Sequence, residues 1–305
     1  MHKISKTIIT VLLGISVLIP SVSCAAEKEV TVREPSFDDA VVSFLGPEGT
    51  YTQEACERFM GEGRDLTAYE TVPAAVDALV SGDSDYAVIP IENTIGGAVT
   101  DYIDTLMSNA TVSVVGEVEL PINQNLLVIP GTELSDIKTV YSHKQGIAQG
   151  RDWLAANLPD AEIVEVSSTA EGARMVSEGG DSSCAAIASA GCADVYGLEI
   201  LAPAIQNNDQ NVTRFYVLKN AEPDVCGTDR TSFIATGSAE DLSKLLVRIN
   251  ANGIRTIAVH DRPLKTELGQ YSYLIECSCI SPDVFEGIKA SSLMDIRYLG
   301  SFNVK

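Results

Sequence analysis

The stretch "TVYSHKQGIAQGRDWLAANL", residues 139–158, joins a short apolar run to a longer amphipathic one through a polar break. The first residues read as a strand. Ser142 stands three before Gln145, the spacing of a capping box at a helix start. Ile147, Leu154 and Leu158 then fall on one inward face. A strand running through a cap into an amphipathic helix is the repeating unit of α/β proteins.

The same unit recurs along residues 40–220. "VVSFLG" leads to "TYTQEACERFM", where Thr50 and Gln53 have capping-box spacing and Tyr51, Ala55 and Phe59 share a face. "DYAVIPIENT" leads through Gly96 and Gly97 to "AVTDYIDTLM", with Val99, Ile103, Leu106 and Met107 as the buried stripe. In "EIVEVSSTAEGARMV", Ser168 stands three before Glu171. This alternation predicts a parallel α/β sheet. Ligands of such sheets bind beyond the carboxyl ends of the strands, where helix N-termini offer free N–H groups to an anion. The pattern therefore predicts a crevice ringed by Thr50, Asn93, Thr94, Ser142, Ser168 and Thr169. Any one of these caps alone would only satisfy backbone N–H groups. Four units sending caps to one edge make a site.

Composition narrows the function. Of 305 residues, 45% are hydrophobic, enough for two or three packed domains of about 100–150 residues each. The net charge of −21 argues against nucleic acid and anionic membrane faces. An anionic ligand must be caught by local positive features. No Walker loop occurs, no G-x-G-x-x-G follows a strand, and "GPEGT" (46–50) has the wrong spacing for a nucleotide phosphate. No G-x-S-x-G elbow occurs, and the adjacent Ser142 and His143 diverge at a helix start. No cofactor is demanded. With three His and no close pair, no metal site is expected. Seven Cys include no C-x-x-C pair; Cys56, Cys184 and Cys192 read as small buried hydrophobes, and Cys277 and Cys279 as sharing one face of a strand.

The N-terminus has the layout of a secretory signal. Lys3 and Lys6 precede an apolar run from Ile8 to Ile19, followed by small residues from Ser21 to Ala26. The run is short of the roughly 20 residues a membrane span needs. Cleavage after Ala25 or Ala26 would make residues 1–26 a signal peptide and 27–39 a linker, and would leave the mature chain more acidic. A lipid anchor on Cys24 is the alternative, but Ser21 stands where a lipobox has Leu. Export, to the periplasm, is the expectation.

In "DQNVTRFYVLK" (209–219), Asn211, Thr213 and Arg214 precede an alternating run that reads as a strand. Taken with "FLGPEGTYTQEA" (44–55), "PIENTIGGAVTDYIDTL" (90–106), "SHKQGIAQGRDWL" (142–154), "STAEGA" (168–173) and "AAIAS" (185–189), this segment completes a series that resembles the prephenate dehydratase family. The resemblance covers residues 41–305. It implies two α/β subdomains like a periplasmic-binding-protein pair, spanning about 40–115 with 195–222, and 116–194. The site lies between them. It implies conversion of prephenate to phenylpyruvate, CO2 and water without a cofactor. Thr213 matches the threonine at the leaving hydroxyl, Asn93 and Glu92 the "PIEN" turn, Ser142 and Gln149 the "SH…Q…Q" segment, and Thr50 the "GPxGT" threonine. Thr213, Asn93, Glu92 and Gln149 are thus the expected catalytic set. Thr50, Thr94, Ser142, Ser168, Thr169, Asn211, Arg214 and Phe215 are expected at the substrate. Lys144 stands where the family usually has Pro, at a helix N1–N2 position. Arg214 is either a carboxylate anchor or an inter-subdomain salt bridge, since strand neighbours point to opposite faces. Glu92 is either a proton donor or a turn acceptor.

Residues 228–305 read as βαββαβ, a ferredoxin-like order that resembles an ACT domain. In this family such a domain binds phenylalanine and mediates dimer contacts, which implies a homodimer or homotetramer. The family's "GAL" turn is here Glu240-Asp241-Leu242, and its "ESRP" segment is His260, Asp261, Arg262 and Pro263. Two carboxylates where the ligand's carboxylate would approach predict weak or absent phenylalanine regulation. Two other readings stay open: an arogenate dehydratase, and a non-catalytic exported ligand-binding or sensor protein.

Overall fold

The computed structural model describes residues 32–305, so the expected signal peptide and the first part of the linker lie outside the described residues. Three sheets follow in the chain. The first contains β1 (Val41–Leu45), β2 (Asp65–Tyr69), β3 (Tyr86–Asn93), a two-residue β4 (Gly97–Ala98), β5 (Val112–Pro121) and β11 (Val212–Asn220). Its order is β2-β1-β3-β11-β5, with β4 paired to β3. The second contains β6 (Asn125–Val128), β7 (Thr139–Ser142), β8 (Glu162–Glu165), β9 (Cys184–Ala188) and β10 (Glu199–Ala202), in the order β10-β6-β9-β7-β8. Helices α1 (Tyr51–Met60), α2 (Val72–Ser81) and α3 (Thr100–Ser108) flank the first sheet. The second carries α4 (Lys144–Asn157), α5 (Thr169–Gly179) and α6 (Ala190–Tyr196).

The central strands are apolar along their length because helices cover both faces. Ala87 to Ile89 of β3 are fully buried. Phe44, Phe59 and Phe215 pack on the α1 side of the first sheet. Tyr102, Leu106 and Tyr216 pack on the α2 and α3 side.

Two expectations need correction. The sheets are mixed, not parallel: β11 runs antiparallel to β3 and β5, and β6 runs antiparallel to β9 and β10. The chain leaves the first lobe along β5 and re-enters it along β11, so the returning strand must run the opposite way. The subdomain limits also move. All of β5, to Pro121, belongs to the first sheet and all of β10 to the second, so the crossings lie near 122–124 and 203–211. Gly116 does not break β5; it makes room for the Phe59 ring packed against it.

The third sheet follows as β12 (Arg230–Ser238), α7 (Ala239–Ala251), β13 (Thr256–Pro263), β14 (Gln270–Ser278), α8 (Pro282–Ala290) and β15 (Asp295–Phe302). Its order, β13-β14-β12-β15, is ferredoxin-like and antiparallel throughout. Leu245, Ile249, Phe285 and Ile288 of its helices cover one face. On the other face, Ile234, Leu274, Leu299 and Phe302 join the core of the first lobe. Cys277 is buried in β14, whereas Cys279 lies beyond the strand's end at Ser278, so the two do not share a strand face. Residues 303–305 run along β5: Glu117 N–H donates to the Asn303 carbonyl (3.1 Å), and Glu119 N–H donates to that of Lys305 (3.0 Å). This covers an otherwise open sheet edge. Among the described residues, no helix is long and apolar enough to cross a membrane.

A Cβ at position 116 would land inside the Phe59 ring. Gly116→Ala is therefore expected to lower unfolding free energy by about 1–3 kcal/mol, the usual cost of overpacking, in chemical denaturation.

Candidate active site

A cleft of about 340 Å³ lies between the first two lobes. Its first-lobe wall is built where β3 and β11 pair. Thr213 sits opposite Asn93, and Arg214 opposite Glu92. Alternate strand residues face opposite ways. Asn93 and Thr213 line the cleft, together with Asn211.

The Asn93 amide organises this wall. Its Nδ2 donates to Thr213 Oγ1 and to Asn211 Oδ1, each at 2.8 Å. Its Oδ1 accepts the Ile95 and Gly96 N–H groups, each at 2.9 Å, which closes the β3–β4 hairpin. Two N–H groups facing one atom fix the amide's orientation. Thr213 Oγ1 is therefore an acceptor from Asn93, and its own proton is free to donate. Asn211 is 1% exposed, yet its Nδ2 has no partner.

The second lobe supplies Gln124, Gln149, Ser168 and Thr169. Gln124 Nε2 donates to Gln149 Oε1 (2.8 Å), while the buried Gln124 Oε1 has no partner. Buried polar atoms of this kind cost about 1–3 kcal/mol each unless they find a partner. Both walls of the cleft thus present polar groups able to bond a ligand. The N-terminal turns of α4 and α5 also reach it, through Gln145, Gly146, Ser168 and Thr169, and bring the positive ends of two helices to a neutral wall.

Hydrogen bonds tie the lobes together at one side. The Tyr51 hydroxyl donates to the Asn123 carbonyl (2.6 Å), and the Ser189 hydroxyl and Cys192 thiol both donate to that of Gly49 (2.5 and 3.1 Å). Burial pushes Cys192 up to about 11, so it serves here as a thiol donor, and burial raises Tyr51 as well.

Several expected site residues lie elsewhere. Glu92 and Arg214 occupy the reverse face of the strand pair, where Arg214 Nη1 donates to Glu92 (2.7 Å). Arg214 is thus an ion-pair centre and not a cleft anchor, and Glu92 is held by it. Phe215 is 2% exposed in the core behind the wall. The Thr94 hydroxyl donates to the Val212 carbonyl and accepts from its N–H, clasping the hairpin to β11. Asn93 and Thr94 cap no helix, because α3 begins at Thr100 with Val99 as its cap. The Ser142 hydroxyl donates to the Ile187 carbonyl, and His143 Nδ1 instead accepts the Gln145 N–H at the start of α4. Thr50 makes no cap bond; its hydroxyl donates to the Leu45 carbonyl, and Gln53 accepts the Gly49 N–H. Only Ser168 caps as expected, accepting the Glu171 N–H (2.9 Å), while Glu171 turns to Arg174. In the C-terminal domain, Leu242 packs on the core from α7, and His260, Asp261, Arg262 and Pro263 lie on β13. Arg262 grips Asp104 of α3 through two bonds of 2.6 Å.

Gln124, Tyr51, His143 and Gln145 line the cleft without having been singled out for it. "PINQNLLV" carried a signal for Gln124, because amides within an apolar strand entrance need partners.

Two α/β lobes with a donor-rich cleft between them define a class of scaffold that holds a small ligand between its lobes. A family model described as prephenate dehydratase matches residues 42–223, and the chain belongs to that family of carbon–oxygen lyases. A prephenate dehydratase of Amycolatopsis methanolica is 33% identical over 270 residues, covering 86% of this chain and 88% of that one. A longer bifunctional chorismate mutase/prephenate dehydratase of Neisseria gonorrhoeae is 36% identical, with the match spanning 77% of this chain and 65% of the relative. Among solved structures, a prephenate dehydratase of Arthrobacter aurescens in complex with L-Phe has a TM-score of 0.76 and 30% identity, covering 86% of this chain and 89% of that one. GqqA, described as a novel type of quorum quenching acylase, has a TM-score of 0.77 and 25% identity, covering 87% of this chain and 98% of that one.

Asn93→Ala would leave Asn211 Oδ1 and two hairpin N–H groups without their partner. A loss of about 1–3 kcal/mol is expected in denaturant unfolding.

Proposed function

We propose that this chain is an exported prephenate dehydratase acting through hydrogen-bond donors rather than through an acid. The observation that carries the reading is the Asn93 amide, which leaves the Thr213 proton and the Asn211 N–H both unclaimed at the cleft wall. In the reaction, the C–C bond to the ring carboxylate breaks and CO2 departs. Its electron pair becomes ring π density and expels the ring hydroxyl. The Thr213 O–H and Asn211 Nδ2–H donate to the departing oxygen, which leaves as hydroxide and is neutralised to water by the buffered solvent. One such donor commonly contributes about 3 kcal/mol. The helix starts at Ser168 and Gln145 suit a substrate carboxylate. Leu45 and Ile122 flank the cleft and keep the ring carboxylate poorly solvated.

Thr213→Ala is expected to lower kcat about a hundredfold with the fold intact, read as phenylpyruvate formed from prephenate. Wild-type-like turnover would remove Thr213 from the mechanism, and no turnover by the wild-type protein would favour a ligand-binding role. Arogenate as substrate is supported by one observation, since the unpartnered Gln124 Oε1 would accept a hydrogen bond from its ammonium group. Comparing kcat/KM for the two compounds decides between them. An acylase activity, as named for GqqA, would be served by a nucleophile–base couple. Here the Ser142 hydroxyl is committed to Ile187 and His143 Nδ1 to Gln145.

The C-terminal domain fits an ACT role, with dimer or tetramer formation. Its capacity for phenylalanine is expected to be weak. Asp241 stands in the first turn of α7, bonded to Ser238 (2.6 Å), and Arg262 is already occupied by Asp104. Phenylalanine at sub-millimolar concentration is expected to give neither a thermal shift nor inhibition. Export rests on the N-terminal pattern, and N-terminal sequencing of protein recovered from a secreting host tests it.

A further inference from the structure

We propose that Glu276, on the C-terminal domain, is a positioning residue for Thr213 and Asn93 of the cleft. The inference rests on the dehydratase reading for its kinetic arm only. Arg214 follows Thr213 in β11, and Glu92 precedes Asn93 in β3, so the ion pair and the cleft pair occupy the two faces of one short stretch of ladder. Three nitrogens of Arg214 are used on three carboxylates: Nη1 on Glu92 (2.7 Å), Nε on Glu117 of β5 (2.6 Å) and Nη2 on Glu276 of β14 (2.8 Å). The second oxygen of Glu276 accepts the Tyr216 hydroxyl, two residues further along β11 on the same face. One fully buried carboxylate therefore holds β11 at two points beside the cleft. The ladder between β11 and β3 is irregular between Arg214 and Phe215, while that between β11 and β5 stays in register there, so backbone hydrogen bonding holds the strand less firmly on its β3 side. A side-chain clamp at that point decides how far Thr213 reaches into the cleft. A displacement on the order of 1 Å can cost about a hundredfold in rate.

The alternative is that these bonds only glue the domains together. Asp104 provides the comparison, because its pair with Arg262 also joins the third sheet to the first lobe, away from β11. Full-length Glu276→Gln, Tyr216→Phe and Asp104→Ala proteins are compared in two ways. With prephenate, Glu276→Gln and Tyr216→Phe are expected to lose tenfold or more in kcat with KM within about twofold, and Asp104→Ala to keep the wild-type kcat. In protein carrying 13C-methyl threonine, the Thr213 methyl resonance, assigned with Thr213→Ser, is expected to move in the first two variants and stay in the third. The methyl measurement stands even if the wild-type protein does not turn over prephenate, so the two readings fail separately. Should Glu276→Gln fail to fold, Tyr216→Phe carries the test with its packing preserved. Unchanged kcat and an unmoved methyl in Tyr216→Phe would overturn the proposal.

Discussion

The antiparallel pairing of β11 with β3 is the constraint on which the rest depends. The first lobe is begun by residues 41–121 and completed only when residues 212–220 insert between β3 and β5. That insertion sets the two crossings side by side, with the Ile122 N–H donating to the Asn211 carbonyl, and brings Thr213 opposite Asn93. It also sorts polarity by face. On the β3–β11 wall the Asn93 and Asn211 amides and the Thr213 hydroxyl face the cleft, while the charges of Glu92 and Arg214 lie behind the sheet. A cleft lined with neutral donors can bind an anion without ionising any group of its own.

The reverse face concentrates the electrostatic cost. Arg214 and Arg230 meet Glu92, Glu117, Glu119 and Glu276, which come from the first lobe and the C-terminal domain. Burial works against the Arg214 cation, but the hydrogen bond to Glu117 and the charges of Glu276 and Glu117 outweigh it and hold the guanidinium protonated. Burial raises Glu117 in turn, against the pull of Arg214, and its Oε2 has no partner. Buried ion clusters like this add little net stability over an apolar core, yet they are costly to break and strict about geometry.

The strand–helix units and the third sheet were legible in the sequence because each rests on local pattern, whereas the Thr213–Asn93–Asn211 wall joins distant segments and was reached only through the resemblance to prephenate dehydratases. The partners chosen across space were not legible. Ser142 had the spacing of a cap, but the Ile187 carbonyl on the neighbouring β9 captured its hydroxyl, leaving the cap to His143. Thr94 looked like a cap and became a clasp, because a hairpin intervenes before α3. For Arg214, strand alternation left two faces open. Only the buried Glu117 and Glu276, from distant segments, decide between them. The mixed character of the sheets was hidden for the same reason, since strand direction depends on where the chain returns.

The pairing of residues 303–305 with β5 has a consequence for the order of assembly. All five strands of the second sheet lie between residues 125 and 202, so that sheet can close as soon as this stretch leaves the ribosome. The first sheet, though begun earlier, lacks an inner strand until residue 220 and an edge cover until residue 305. A half-built sheet with exposed strands therefore precedes a finished one during synthesis. The lobe encoded first is completed last, and its open edges are the stage at which a chaperone would have most to protect.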